Sequence, residues 1–116
     1  MDKKNLTTEE TFSLAVQNQQ KNNLQIAKNL YKETLKINPN YVDAHNNLGI
    51  IFQALREFHK ARNCYEKLLN LDPSYKKGYS GYGNLLLKIS QHNKGLAYIK
   101  KGDGVIRFSQ KDVKII

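Results

Sequence analysis

Apolar residues along this chain recur at intervals of three and four. Between residues 42 and 55, Ala44, Leu48, Ile51, Phe52 and Leu55 fall on one stripe; between 58 and 71, Ala61, Tyr65, Leu68, Leu69 and Leu71 do the same. That spacing predicts two amphipathic helices, over 42–55 and 58–71, joined by a short turn. Gly49 and Ala61 are small enough to let the two approach closely. Pro73 cannot continue a helix and biases Asp72 away from helical geometry, so it ends the unit.

The unit repeats. Ile37-Asn38-Pro39-Asn40-Tyr41 recurs as Leu71-Asp72-Pro73-Ser74-Tyr75, with the prolines 34 residues apart. Twelve residues before each proline stands an alanine, Ala27 or Ala61, followed four residues later by Tyr31 or Tyr65. Two helices of 12 to 14 residues with a turn and a linker fill such a period. The 42–75 segment reads His45-x2-Leu48-Gly49-x2-Phe52, then Ala61-x3-Tyr65, then Pro73. This resembles the tetratricopeptide repeat, whose pattern is Trp-x2-Leu-Gly-x2-Tyr, Ala-x3-Phe, Pro. His45 in place of Trp is its weakest match.

A first unit reads Thr11-x2-Leu14-Ala15-x2-Asn18, Ala27-x3-Tyr31 and Pro39. A third reads Tyr79-x2-Tyr82-Gly83-x2-Leu86, then Gly95-x3-Ile99, with Arg107 where proline belongs. The resemblance implies an all-α superhelix, a solenoid of about three helical hairpins. Its expected layout is a polar lead over 1–7, an array over 8–102 divided at about 8–41, 42–75 and 76–102, and a short irregular C-terminal tail over 103–116. The apolar tail residues Val105, Ile106, Phe108, Val113, Ile115 and Ile116 are expected to fold back over the third hairpin as a cap; a partner or a dimer interface would serve them equally.

With 116 residues the chain amounts to one domain. Its single cysteine, Cys64, excludes an intramolecular disulfide and a zinc site on paired cysteines. The polar N-terminus carries no signal-peptide pattern, no run of 18 apolar residues occurs, and a cytoplasmic setting is expected. Net charge is +9, of which residues 76–116 carry +7. Such a basic third suits an acidic peptide, nucleic acid or an anionic surface.

Catalytic chemistry finds no foothold. None of His45, His59 and His92 has the helical spacing of a metal site. His45 sits at a packing position of the repeat, and His59 and His92 are expected in solvent. Cys64 falls within a packed helix without a base to activate it. Gly78-Tyr79-Ser80-Gly81-Tyr82-Gly83 and Gly102-Asp103-Gly104 lack the strand and helix context of a phosphate loop. Gly83 fits the small packing position of the repeat; Gly78 and Gly81 have no such role and are expected to leave open space on the groove side. No cofactor, metal or catalytic residue is assigned.

The family resemblance implies a concave groove lined by the first helix of each hairpin, holding a peptide or partner protein. Carried over by position, the groove residues are Phe12 and Val16 in the first unit, Asp43, Asn46, Asn47 and Ile50 in the second, and Lys77, Ser80, Asn84 and Lys88 in the third. Glu9, Gln19, Gln53 and Leu87 extend the same rows. Some relatives grip a C-terminal carboxylate with a clamp of Lys, Asn and Arg. Asn47 and Lys77 match two of its positions, whereas Phe12, Val16 and Gly81 replace a lysine, an asparagine and an arginine.

The expected activity is therefore protein–protein interaction as an adaptor or scaffold, with no enzymatic reaction and an acidic or amphipathic partner. Three alternatives remain open. One is nucleic-acid binding through the basic third, with Tyr75, Tyr79, Tyr82 and Phe108 as stacking groups. Another is service as a non-catalytic partner of a larger enzyme, and the last is a homodimer.

Overall fold

A computed structural model describes residues 6–89 together with Ile99 and Lys101. Five helices run through these residues: α1 (Thr8–Gln20), α2 (Leu24–Ile37), α3 (Val42–Ala54), α4 (Phe58–Leu71) and α5 (Lys76–Lys88). The two helices expected from the apolar stripes are α3 and α4, the first ending one residue early. The second helix of the third unit, His92 and the tail over 103–116 lie outside the described residues.

Local chemistry sets each boundary. At the start of α1, the Thr7 hydroxyl accepts from Glu10 N–H at 3.0 Å and the Glu10 carboxylate accepts from Thr7 N–H at 2.9 Å. This reciprocal box satisfies two backbone donors that a helix start leaves without partners. The turns inside the first two hairpins are alike. Asn23 N–H reaches back to Asn18 O at 2.8 Å, and Glu57 N–H to Phe52 O at 2.7 Å. Such six-residue closures require a left-handed residue just before the last donor. Asn22 and Arg56 both supply it, at φ 64°. The linkers repeat too: the Asn38 and Asp72 side chains each accept the N–H two residues on, at 3.1 Å, before Pro39 and Pro73 have released the chain into the next helix.

Helices α1 and α2 pack as one hairpin, α3 and α4 as the next, and α5 lies on both α4 and α3. Ala15, Ala27, Ala44 and Ala61 are fully buried where backbones approach, and Tyr31, Tyr65, Ile51, Leu68, Leu85 and Leu86 fill the space between. The fold is an all-α helical-repeat superhelix.

The glycines of α5 depart from expectation. A Cβ on Gly78 would meet Leu68 Cδ1 at 2.6 Å, and one on Gly81 would meet the Tyr65 ring at 2.7 Å. Instead of leaving open space, both admit side chains of α4 against the backbone of α5. Gly49 does the same on α3, where its Cβ would lie 3.0 Å from the Tyr65 ring. Tyr65 is thus wedged between two glycines of different helices and stacked on Tyr82, with ring centroids 5.9 Å apart.

His45 is buried, as its packing position implied, and its Nε2 donates to Pro39 O at 2.8 Å, tying α3 to the linker before it. Burial lowers its pKa from the usual 6.5, with the Pro39 bond opposing and Lys67 adding to the shift. The folded protein therefore holds a neutral imidazole that the unfolded chain protonates more readily. The associated stability is complete above pH 6.5 and is lost as pH falls toward the folded value. Urea midpoints between pH 5 and 8 should drop more steeply for the wild type than for His45→Gln; parallel curves would exclude this role.

Candidate functional site

The positions expected to face the groove separate into two groups. Asn46 and Ile50 on α3 and Lys77, Ser80, Asn84 and Lys88 on α5 border a single cavity of about 850 Å³. Gln53, Ala54, Arg56, Phe58, Tyr65, Lys76 and Gly81 complete its walls. Ile50, Asn84, Lys77 and Lys88 are exposed, Ser80 is half-buried and Asn46 is buried. The alignment follows from the period, because Asn46 and Ser80, like Ile50 and Asn84, stand 34 residues apart on neighbouring first helices.

The other four positions serve the scaffold. The Phe12 ring stacks on Tyr41 with centroids 4.8 Å apart and tilts against Tyr31 at 5.7 Å. Val16 is partly buried against the core. Asp43 accepts the hydroxyl of Tyr75, bridging the second and third units. Asn47 donates through Nδ2 to the Tyr31 hydroxyl at 3.1 Å, and Tyr31 in turn donates to Gln19. Of the two matched clamp positions, Asn47 is engaged with its own hairpin and Lys77 faces the cavity.

Four cations border the cavity, Arg56, Lys76, Lys77 and Lys88, and no carboxylate does. The two ion pairs among the described residues, Lys36–Glu33 and Lys60–Glu57, are elsewhere. With a Debye length of about 8 Å at physiological salt, such clustered charges attract an anionic segment and are only partly screened from it. Arg56 and Lys76 were absent from the sequence-based set. The 34-residue offset from the Asn22 turn was the signal that placed Arg56 at a hairpin corner, and Lys76 is simply the first residue of α5.

Asn46 is the cavity's polar irregularity. It is 4% exposed, its Nδ2 makes only a long 3.4 Å bond to Asn47, and its Oδ1 has no hydrogen-bond partner. A buried acceptor left in that state costs about 1–3 kcal/mol.

Candidate reactive groups do not converge. Cys64 is buried at 8% exposure, and burial pushes its thiol up to about 12 against the opposing pull of Lys67 and Lys32, so it is not a nucleophile near neutrality. His59 is exposed. Among the described residues no group of three or more His, Cys, Asp or Glu could hold a metal ion, and no helix is long and apolar enough to cross a membrane.

Helical hairpins stacked at a fixed period, with a cavity between their first helices, define a helical-repeat array. Residues 42–75 match the family model of the tetratricopeptide repeat, so the α3–α4 hairpin is one such repeat. Among solved structures the chain is similar to that of MamA, with 23% identity, a TM-score of 0.77, and coverage of 84% of this chain and 57% of that one. A second MamA structure gives 24% identity and a TM-score of 0.75 over 83% of this chain and 52% of that one. The Sgt2 TPR domain from Aspergillus fumigatus gives 21% identity and a TM-score of 0.77 over 82% and 63%. The chain thus spans less than two thirds of the length of these relatives, and at such identities the likeness is one of fold. No curated protein matches the chain.

Proposed function

We propose that this protein is a non-catalytic interaction module that holds an acidic segment of a partner protein in the cavity between α3 and α5. The observation that carries this reading is the four cations, without any carboxylate, around a cavity of about 850 Å³. Exposed Ile50 supplies an apolar contact beside them, and Asn84 and Gln53 supply hydrogen-bonding groups, a mixture suited to peptide capture. An adaptor or scaffold works this way, lending one surface to another protein without altering it chemically.

Phe12, Val16, Asp43 and Asn47 support the groove from behind, because their side chains hold the first two hairpins and the linkers in register. The nucleic-acid alternative is less well supported. Stacking needs exposed aromatic faces, but Tyr82 is buried and bonded to Glu66 at 2.6 Å, and the Tyr75 hydroxyl is bonded to Asp43. Phe108 lies outside the described residues.

The test is affinity capture from source-cell lysate at low and moderate salt, with and without nuclease. Wild-type protein and a Lys77→Glu/Lys88→Glu variant would be compared. A discrete protein that resists nuclease and is lost with the variant is expected. Recovery of nucleic acid alone, fading as salt rises, would overturn the reading in favour of the basic third.

A further inference from the structure

Two residues at the cavity carry stability costs that the rest of the fold avoids. The first is Asn46, whose side-chain oxygen is buried without a partner. One repeat earlier the equivalent position is Phe12, which packs against Tyr41, and one repeat later it is Ser80, so the period does not demand an amide there. The second is Arg56, held at φ 64° in the left-handed region. Asn22 occupies the same turn one repeat earlier, and asparagine tolerates that conformation far better than arginine. The Arg56 guanidinium lies 5.4 Å from the Phe58 ring centroid, and both side chains border the cavity. Departures from local rules tend to persist where a function uses them.

Resting on the reading of this cavity as an acidic-segment site, we infer that the bound segment is extended, and that Asn46 and Arg56 recognise it. Asn46 accepts a backbone N–H of the segment. Arg56 pairs with one of its carboxylates, while Lys77 and Lys88 take others across the cavity.

The conformation follows from the donor Asn46 needs. Inside a helix every backbone N–H is already committed to a carbonyl four residues back, leaving only the first turn free. An extended chain offers a free N–H at each residue, with side chains alternating on either side. Packed helices stand about 8–10 Å apart, and an extended residue advances about 3.3 Å, so about three residues carry the segment from α3 to α5. The Asn46 amide reaches the ligand by turning about its terminal torsion, which has broad, shallow minima. Binding thereby satisfies an acceptor that is unsatisfied in the free protein.

Because both residues burden the free fold, the inference separates stability from binding. The probes are a fluorescein-labelled octapeptide of L-glutamate, the same peptide N-methylated at alternate backbone nitrogens, and a helix-forming Glu/Ala peptide of equal charge. Binding is read by anisotropy at low salt, and melting temperature is measured for wild type, Asn46→Ala and Arg56→Gly. Both variants should melt at or above the wild-type temperature yet bind the octaglutamate about tenfold more weakly, the worth of one charge-assisted or buried hydrogen bond. N-methylation should weaken the probe against wild type and leave its binding to Asn46→Ala unchanged. Wild-type affinity in both variants, indifference to N-methylation, or preference for the helical peptide would overturn the inference while leaving the acidic-segment site intact. No binding of any acidic probe to wild type would overturn both.

Discussion

Truncating Tyr65 to alanine is expected to cost about 3–5 kcal/mol, the range for deleting a large buried aromatic side chain, and to lower the melting temperature by about 10–20 °C. The ring is fully buried and fills the space over Gly49 and Gly81, with Tyr82 stacked beside it. Removing it leaves a void between α3, α4 and α5 that two glycines cannot fill, because neither has a side chain to move inward. Tyr65→Phe separates the ring from the hydroxyl. The hydroxyl donates to Gln53 Oε1 at a long 3.4 Å, so this variant should stay within about 1 kcal/mol of wild type. Chemical denaturation of both variants checks the argument. A Tyr65→Ala loss no larger than that of a surface substitution, about 0.5 kcal/mol, would show that the third hairpin does not depend on this wedge.

Reversing two cavity charges, Lys77→Glu with Lys88→Glu, should reduce affinity for an acidic peptide by at least about tenfold, or about 1.4 kcal/mol, at low salt. The two lysines are exposed and have no ion-pair partner among the described residues, so folding should change little. Their field acts through water, and the difference between variant and wild type should shrink as salt rises and the Debye length falls toward about 3 Å at 1 M. Anisotropy titrations of labelled octaglutamate across a salt series measure this directly. Equal affinities at low salt would remove the charge argument for the site. A melting temperature well below wild type would show instead that these lysines hold the fold.

Much of the scaffold could be read before any coordinates. The prolines at 39 and 73, the alanines twelve residues before them and the tyrosines four residues after those alanines set the period, and the apolar stripes set α3 and α4 to within a residue. Six of the ten groove positions carried over from the family pattern meet at one cavity. The remaining four show why the rest could not be read. Asn47 and Asn46 are neighbours of the same residue type, yet one amide is engaged with Tyr31, sixteen residues away, while the oxygen of the other has no partner. Asp43 would pass for a groove carboxylate until Tyr75, 32 residues on, claims it.

The sequence by itself determined the helices, their turns and their period, because helix formation, capping and proline termination depend on residues within a turn or two of each other. Tertiary structure decided what the glycines of α5 do and which polar side chains remain for a partner. Gly78 and Gly81 looked like gaps along one helix, and only the packing of α4 against α5 brings Leu68 and Tyr65 onto them. Likewise, the charge around the cavity is a sum over three separate elements: Arg56 from a turn, Lys76 and Lys77 from the start of α5, and Lys88 from its end. Periodicity fixes which face of each helix turns inward; only packing across the chain fixes which side chains that face leaves unpaired.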